Sequence, residues 1–157
     1  MNQNEQIIHK FYTAFANADE ATMCEYYHAN IQFQDPAFGI LKGNDVCQMW
    51  KMLLEKSQGN IKIKFSDIKA DELTGSANWI ASYTFSKTNR KVINVIQSQF
   101  HFQNGLIIRH TDNFDIWKWS KQALGFKGLL LGWTGFMQKQ IHKQAVSSLN
   151  NYYKRNS

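Results

Sequence analysis

The first third of the chain carries hydrophobic residues at helical spacing in three successive runs. The first run spans residues 4–17 and stops at Asn17-Ala18-Asp19, where Asp19 can cap a short second helix that is predicted to end near His28. The third run begins after Gly43 and follows the spacing i, i+3, i+4, i+7, i+8 with Val46, Met49, Trp50, Leu53 and Leu54. The chain is therefore predicted to begin with helices.

From Asn60 onward the spacing changes to the two-residue period of strands. Apolar and polar residues alternate over residues 61–65, 79–85 and 92–102. Asn104-Gly105 is the strongest short hairpin signal in the chain, and the strand after it is predicted to run from Leu106 to Ile116. A two-residue loop would place the apolar faces of the last two strands on opposite sides of the sheet. Either a β-bulge shifts the pairing or both faces of the sheet are covered, and we expect a bulge.

A short strand between the second and third helices, from Ile31 to Asp35, ends at Pro36, the only proline in the chain. Proline holds the preceding residue in an extended conformation and contributes no backbone donor. Two interpretations of Asp35 remain open at this point. Its side chain either forms the turn or places its carboxyl group in an apolar pocket beside Phe33 and Phe38.

A final amphipathic helix follows a glycine-rich connection. Its apolar stripe is predicted to contain seven residues: Trp133, Phe136, Met137, Ile141, Ala145, Leu149 and Tyr152. Helices come first, antiparallel strands follow and a helix comes last. This order indicates an α+β fold in which a strongly curved antiparallel sheet wraps around the N-terminal helices. We predict one domain over residues 1–157, with residues 117–157 as a basic helical C-terminal extension.

The composition is that of an ordered globular protein, with 43% hydrophobic and 14% aromatic residues. No stretch is long and apolar enough to span a bilayer, and the polar N-terminus does not resemble a signal peptide. Cys24 and Cys47 are too few for a disulfide framework. We therefore predict two buried, reduced thiols in a cytoplasmic protein.

The net charge of +6 belongs to the C-terminal segment. Residues 116–157 contain seven Lys or Arg and no Asp or Glu, whereas the preceding residues are nearly balanced. No RNA-binding signature or helix-turn-helix pattern accompanies these charges, so no nucleic-acid partner is expected. We interpret them as a solvated basic helix face, with contact to an acidic partner or a membrane surface as the alternative.

Several short patterns together resemble the ketosteroid isomerase superfamily, which also contains the SnoaL-type polyketide cyclases, limonene epoxide hydrolase, scytalone dehydratase and nuclear transport factor two. These patterns are the two helices broken by Asn17-Ala18-Asp19, the strand ending in Asp35-Pro36, the helix with Trp50, and the block from Asn104-Gly105 through His110, Asp112, Phe114 and Asp115. The resemblance implies a cone-shaped sheet that encloses a deep apolar pocket with its helices. It also implies a homodimer, formed through the outer face of the sheet and the last helix.

Asp35 falls at the position of the proton-shuttling aspartate of a ketosteroid isomerase. The position of that enzyme's catalytic tyrosine holds Phe11, with Tyr12 expected to point elsewhere, and its second oxyanion acid falls near Ser98. The resemblance thus implies a candidate base without either oxyanion donor, which argues against steroid isomerisation. SnoaL-type cyclases carry a histidine and an aspartate on the last strand, an arrangement that His110 resembles together with Asp112 or Asp115.

A buried carboxyl group has a raised pKa that suits it to proton transfer, and residues two apart on a strand share one face. We therefore hypothesise that Asp35 is a general base and that His110 with Asp112 supplies or orients the proton. No third side chain completes a metal site and no nucleotide-binding motif is present, so neither a metal nor a cofactor is predicted. The predicted pocket-lining residues are Phe33, Phe38, Trp50, Trp79, Tyr83, Ser98, Phe100 and Phe114.

The sequence thus favours a protein that binds a small apolar organic molecule and catalyses proton transfer on it, as in isomerisation, cyclisation, dehydration or epoxide hydrolysis. The alternative is a non-catalytic ligand-binding or dimerisation module in which the polar residues are structural. The two hypotheses differ in one observable. An enzyme requires that the Asp35 carboxyl and the His110 ring open into the same enclosed cavity.

Overall fold

The computed structural model describes residues 1–156. The elements in chain order are α1 (Gln3–Ala16), α2 (Glu20–Glu25), β1 (Tyr27–Asp35), β2 (Gly39–Lys42), α3 (Asn44–Ser57), β3 (Lys62–Ala70), β4 (Thr74–Phe85), β5 (Arg90–Gln103), β6 (Leu106–Asn113), α4 (Ile116–Leu124), α5 (Phe126–Leu131) and α6 (Gly135–Asn156). The first helix begins at a capping box, in which Asn2 and Glu5 each accept a hydrogen bond from the other's backbone N–H. Asp19 caps α2 as predicted, by accepting a hydrogen bond from the N–H of Thr22.

The strands form one six-stranded sheet in the order β2-β1-β6-β5-β4-β3. Neighbouring strands are antiparallel except β1 and β6, which pair in parallel. The predicted α+β fold is confirmed, and the sheet is mixed where the sequence predicted antiparallel pairing throughout. A parallel pair requires a long crossover, and residues 36–105 lie between these two strands.

The predicted bulge lies in the hairpin of β5 and β6. Phe102 pairs with Ile107, whereas His101 pairs with Arg109, so Ile108 is the extra residue. Asn104 and Gly105 have φ of 53° and 76°, the left-handed conformation that a two-residue hairpin turn requires. The bulge brings the apolar residues of both strands to one face of the sheet.

The last strand ends at Asn113, three residues earlier than predicted. The chain leaves the sheet there because Asp115 accepts a hydrogen bond from the N–H of Lys118 and caps α4. On α4, Gln122 then hydrogen-bonds both the N–H and the carbonyl of Ile93 on β5. The Gln122 amide thus pairs the edge of β5 beyond the end of β6, where no neighbouring strand satisfies it.

The final helix follows the predicted stripe only in part. Met137, Ile141, Leu149 and Tyr152 are buried and Ala145 is half-buried, but Trp133 and Phe136 are exposed. The helix begins at Gly135, so Trp133 precedes it and Phe136 lies in its first turn. Near the other end of α6, the Tyr152 hydroxyl donates a hydrogen bond to Glu55 and so holds α6 against α3.

The prediction of two reduced thiols is wrong, because Cys24 and Cys47 form a disulfide. The bond joins two cysteines 23 positions apart in the sequence and links α2 to α3, which pack together in the fold. Sequence spacing alone does not show which helices lie side by side, so the pairing was not readable. The cytoplasmic location was predicted from reduced thiols, and it loses that support.

We expect loss of the disulfide to lower the free energy of unfolding. Closing a loop of this length in the unfolded chain is worth about 3 kcal/mol. Urea unfolding of wild type with and without reductant, beside the Cys24→Ser/Cys47→Ser variant, measures the effect. The variant should match reduced wild type and should not respond to reductant. Equal stability of oxidised and reduced wild type would contradict a structural role for the bond.

Candidate functional site

A cavity of about 680 Å³ lies between the inner face of the sheet and helices α3 and α6. Its volume falls within the range of pockets that bind small organic molecules. Of the residues predicted to line the pocket, five line this cavity: Phe38, Trp50, Trp79, Tyr83 and Phe114. Two carboxyl groups, of Asp35 and Asp112, break its otherwise largely apolar wall.

Four residues of the predicted site do not line this cavity. Phe33, Ser98, Phe100 and His110 are almost fully buried and lie behind its wall. Phe33 and Phe100 pack directly on the His110 ring, with ring centroids 5.1 and 4.6 Å from it. The sequence correctly predicted that these side chains lie on the inner face of the sheet. They do not reach the cavity because other side chains form its wall in front of them.

Both interpretations of Asp35 hold at once. Its Oδ1 accepts hydrogen bonds from the N–H groups of Ala37 (2.9 Å) and Phe38 (2.6 Å), which forms the turn after Pro36. The same carboxyl group lines the cavity. Burial raises the pKa of Asp35 to about 7, the hydrogen bond from Phe38 opposes this rise, and the nearby Asp112 carboxyl adds to it.

The parallel pairing of β1 with β6 brings the two carboxyl groups together. Phe33 pairs with His110, and Asp35 and Asp112 each follow two residues later on their strands. Side chains two apart on a strand point to the same face, so both carboxyl groups lie on the inner face at the end of this pair. An antiparallel pairing of the same strands would have separated them.

Asp112 belongs to a chain of buried hydrogen bonds. Its Oδ1 contacts the Ser98 hydroxyl and lies 2.8 Å from His110 Nε2. Ser98 Oγ in turn accepts hydrogen bonds from Tyr12 (2.7 Å) and from the Trp79 indole (2.8 Å). Tyr12 therefore points into the interior, contrary to the sequence prediction, although its hydroxyl stops at Ser98.

The hydrogen-bond partners assign the protons in this chain. Ser98 Oγ already accepts two hydrogen bonds, so its own hydrogen is donated to Asp112 Oδ1. Tyr27 accepts from the Trp50 indole (3.0 Å), and its hydroxyl lies 2.8 Å from His110 Nδ1. The tautomer in which Tyr27 donates to Nδ1 has the His110 hydrogen on Nε2, facing Asp112. The Ser98 hydroxyl and, in this tautomer, the His110 Nε2–H are thus both directed toward Asp112 Oδ1.

The second oxygen of Asp112 meets the cavity. Within residues 1–156, Asp112 Oδ2 forms no hydrogen bond, whereas every fully buried side-chain polar atom has a partner. Oδ2 is therefore not fully buried. Asp112 can therefore exchange a proton with a bound molecule at Oδ2 alone. His110 does not line the cavity, so of the two roles predicted for it with Asp112, supplying or orienting the proton, its position is compatible with the second. It lies behind Asp112 and orients it.

Three further residues of the site were missed by the sequence analysis. Asn94 lies on the inner face of β5, is 8% exposed, and forms no side-chain hydrogen bond with any of residues 1–156. Its amide is open to the cavity. The signal was its place between Val92 and Ile96, where the alternation predicts an inward side chain. Tyr27 was assigned to the end of α2 but begins β1, and Trp119 was not assigned a role.

Trp119 donates its indole hydrogen to the Tyr83 hydroxyl over 2.7 Å. The Tyr83 hydrogen has no acceptor among the described residues, and Tyr83 lines the cavity. Burial raises the pKa of Tyr83, the hydrogen bond from Trp119 opposes this, and the Asp35 carboxyl adds to the rise. The cavity therefore holds a phenol and an amide that are both free to bind an oxygen of a ligand.

Asp115, the other aspartate considered as a partner of His110, lies outside the site. It caps α4 and is exposed, as its opposite parity on the last strand suggested.

Within residues 1–156 no helix is both long and apolar enough to cross a membrane.

The fold and the cavity define a protein with the cone-shaped α+β architecture of nuclear transport factor two. The sequence profile of the SnoaL-like domain matches residues 8–110, and the chain belongs to this family. Comparison with curated proteins gives no match.

Solved structures with the same fold include three of differing description. A protein described as a polyketide cyclase, from Xanthomonas campestris pv. campestris, is 14% identical, with a TM-score of 0.62 over 76% of this chain and 96% of its own. TerC, co-crystallised with polyporic acid, is 13% identical, with a TM-score of 0.62 over 73% and 92%. An epoxide hydrolase of the LEH-like type from M. tuberculosis is 20% identical, with a TM-score of 0.58 over 83% and 91%. At these identities the similarity shows the fold alone.

Asp35→Asn should increase the free energy of unfolding relative to wild type, and this increase should be larger at high pH than at low pH. The pKa of Asp35 is raised from 3.8 to about 7 in the fold, so its stabilising contribution is present below 3.8 and is lost as the pH rises through 7. Asparagine keeps the Oδ1 acceptor but carries no charge. The advantage of the variant should grow between pH 4 and pH 8 by a few kcal/mol, with about 4 kcal/mol as the limit. Urea unfolding at several pH values measures it, with Asp115→Asn as the exposed control. A difference that does not change with pH would contradict the assignment.

Asp112→Asn should lower the pKa of Asp35 without returning it to 3.8. The Asp112 carboxyl contributes to the raised pKa, but burial is the larger cause. The measurement is a pH titration of the Asp35 side-chain carbon by NMR in wild type, Asp112→Asn and the control Asp115→Asn. An unchanged midpoint in Asp112→Asn would show that the two carboxyl groups do not interact.

Proposed function

We propose that this protein binds a small, largely apolar organic molecule in the cavity and catalyses proton transfer on it without a cofactor. One observation carries the proposal. Asp35 and Asp112 present carboxyl oxygens to the same apolar cavity, and the pKa of Asp35 is about 7. A carboxyl group with such a pKa can both accept and release a proton near neutral pH.

In this proposal Asp35 is the general base. Its Oδ1 is held by two backbone N–H groups, so the other oxygen is directed at the ligand. Asp112 Oδ2 is the second site of proton exchange, and His110 with Ser98 holds Asp112 in place as positioning residues. The free hydroxyl of Tyr83 and the amide of Asn94 bind an oxygen atom of the ligand. These two side chains take the place of the two oxyanion donors of a ketosteroid isomerase, whose positions hold Phe11 and Ser98 in this chain.

Isomerisation, aldol-type cyclisation, dehydration and epoxide hydrolysis all need a base and a proton donor on one substrate. The cavity provides both. The published descriptions of the structural neighbours, which include a polyketide cyclase and an epoxide hydrolase, support this range of reactions without selecting one.

The alternative is a module that binds the ligand and leaves it unchanged. The enclosed position of His110 does not meet the requirement stated from the sequence, that the Asp35 carboxyl and the His110 ring open into the same cavity, so the three-residue form of the enzyme hypothesis fails and this alternative gains support. The proposal therefore rests on the two carboxyl groups and not on His110.

We also propose a homodimer that forms through the outer face of the sheet. Ile80, Ile93 and Val95 are exposed on adjacent strands there, and Ile80 pairs with Val95. A second copy of the sheet would cover these side chains.

The experiment begins with mass spectrometry of small molecules that co-purify with the protein. Wild type and Asp35→Asn should both retain the ligand, whereas Ala81→Leu, which fills the cavity, should lose it. The released compound is then incubated with each protein in deuterium oxide. Wild type should incorporate deuterium or convert the compound, and Asp35→Asn should do so about 100-fold more slowly or worse.

Asp115→Asn provides the matched control and should keep the wild-type rate. Exchange by Asp35→Asn at the wild-type rate would overturn the role of Asp35. Retention of a ligand by wild type with neither exchange nor conversion would favour the non-catalytic module.

A further inference from the structure

The segment around α5 exposes a cluster of large apolar side chains. Six of them, within an eleven-residue stretch, make up what we call the α5 patch: Phe126, Leu129, Leu130, Leu131, Trp133 and Phe136. Phe126, Trp133 and Phe136 are 73%, 65% and 69% exposed. A contiguous apolar surface of this kind usually marks a site of interaction.

The backbone beneath the patch is already satisfied. The indole of Trp117 donates a hydrogen bond to the carbonyl of Leu129 (3.2 Å), and that of Trp133 donates to the carbonyl of Leu130 (3.0 Å). These carbonyls lie near the end of α5, where no further helical turn provides N–H groups to donate to them. The patch can therefore enter a less polar medium without leaving these groups unpaired.

Every charged side chain of residues 116–157, the segment that contains the patch, is positive, and the exposed carboxylate of Asp115 lies just before it. Lys118, Lys127, Lys139 and Lys143 are exposed, and no Asp or Glu occurs after Asp115. Lys121 lies over the Trp117 ring, with Nζ 4.3 Å from the ring centroid. The patch is thus apolar at its centre, aromatic within and cationic at its edge.

Two kinds of partner fit the apolar centre of the patch, and the positive charges of the lysines distinguish between them. A second copy of this chain, packed symmetrically, would bring one set of lysines against another. An anionic lipid surface would accept the aromatic and aliphatic side chains at its interface and pair its headgroups with the lysines. We propose that the α5 patch docks this protein on an anionic lipid bilayer, with α5 lying in the interface.

The docked surface shares its wall with the cavity. Lys127, Leu131 and Phe136 belong to the patch or its edge and also line the cavity. An apolar molecule dissolved in the bilayer would therefore have a short path to Asp35 and Asp112. The docking itself does not depend on the proposed chemistry, because it uses side chains outside the catalytic set.

The test is co-sedimentation of the full chain with vesicles of phosphatidylcholine alone and of phosphatidylcholine mixed with phosphatidylglycerol. We expect binding to the mixed vesicles, weaker binding at high salt, and little binding to phosphatidylcholine. Phe126→Ser/Leu130→Ser removes two exposed side chains that do not line the cavity, and should weaken binding by about tenfold or more. Lys118→Gln/Lys139→Gln/Lys143→Gln should weaken it roughly 100-fold.

Two control variants match these changes elsewhere on the surface. Ile40→Ser/Leu73→Ser removes two exposed apolar side chains, and Lys62→Gln/Lys64→Gln/Lys69→Gln removes three exposed charges. Both should bind as wild type does, and circular dichroism checks that every variant is folded.

Absence of binding to the mixed vesicles would overturn the proposal. So would binding that ignores salt, or an equal loss in the control variants. If Phe126→Ser/Leu130→Ser instead converts an oligomer to a monomer without vesicle binding, the patch belongs to a second copy of the chain.

Discussion

The parallel contact between β1 and β6 is the interaction on which the rest of the site depends. It joins the first strand of the chain to the last. In the sheet, β2 lies on the other side of β1, and β5 lies on the other side of β6. The same contact places Asp35 beside Asp112 and brings Tyr27, at the start of β1, within hydrogen-bond distance of His110. The register is regular from Gln32 with Arg109 to Gln34 with Thr111, so the pairing of Phe33 with His110 also sets the positions of the carboxyl groups two residues later.

The buried hydrogen bonds behind the cavity explain how a carboxyl group can be held in an apolar interior. Burial of polar groups is unfavourable unless each finds a partner, and within residues 1–156 every fully buried side-chain polar atom has one. The chain through Ser98 and His110 ends on one oxygen of Asp112 and leaves the other open. A rigid support with a single open acceptor is the form that proton transfer needs, since the reacting atom must be held in position.

The elements with local signals could be predicted from the sequence, and the contacts between distant elements could not. Helical spacing, the cap at Asp19 and the Asn104-Gly105 turn are set by neighbouring residues, and the bulge followed from the parity of two adjacent strands. The parallel pairing and the Cys24–Cys47 bond depend on which distant elements pack together, which spacing does not encode. Asn94 was overlooked because a polar residue on an apolar face breaks the alternation that defines the face. Such breaks are where a site is to be sought.

The pKa of Asp35 results from two opposed effects whose balance a ligand would change. Burial, with a smaller contribution from the Asp112 carboxyl, favours the neutral acid, whereas the N–H groups of Phe38 and Ala37 favour the carboxylate. An apolar molecule that fills the cavity displaces water from the second carboxyl oxygen but leaves the turn and its two donors in place. Binding therefore shifts the balance further toward the acid, and a carboxylate that remains in the filled cavity is a stronger base than in the empty one. In the proposed mechanism the turn after Pro36 therefore has a chemical role, because its two N–H groups favour the carboxylate form of Asp35.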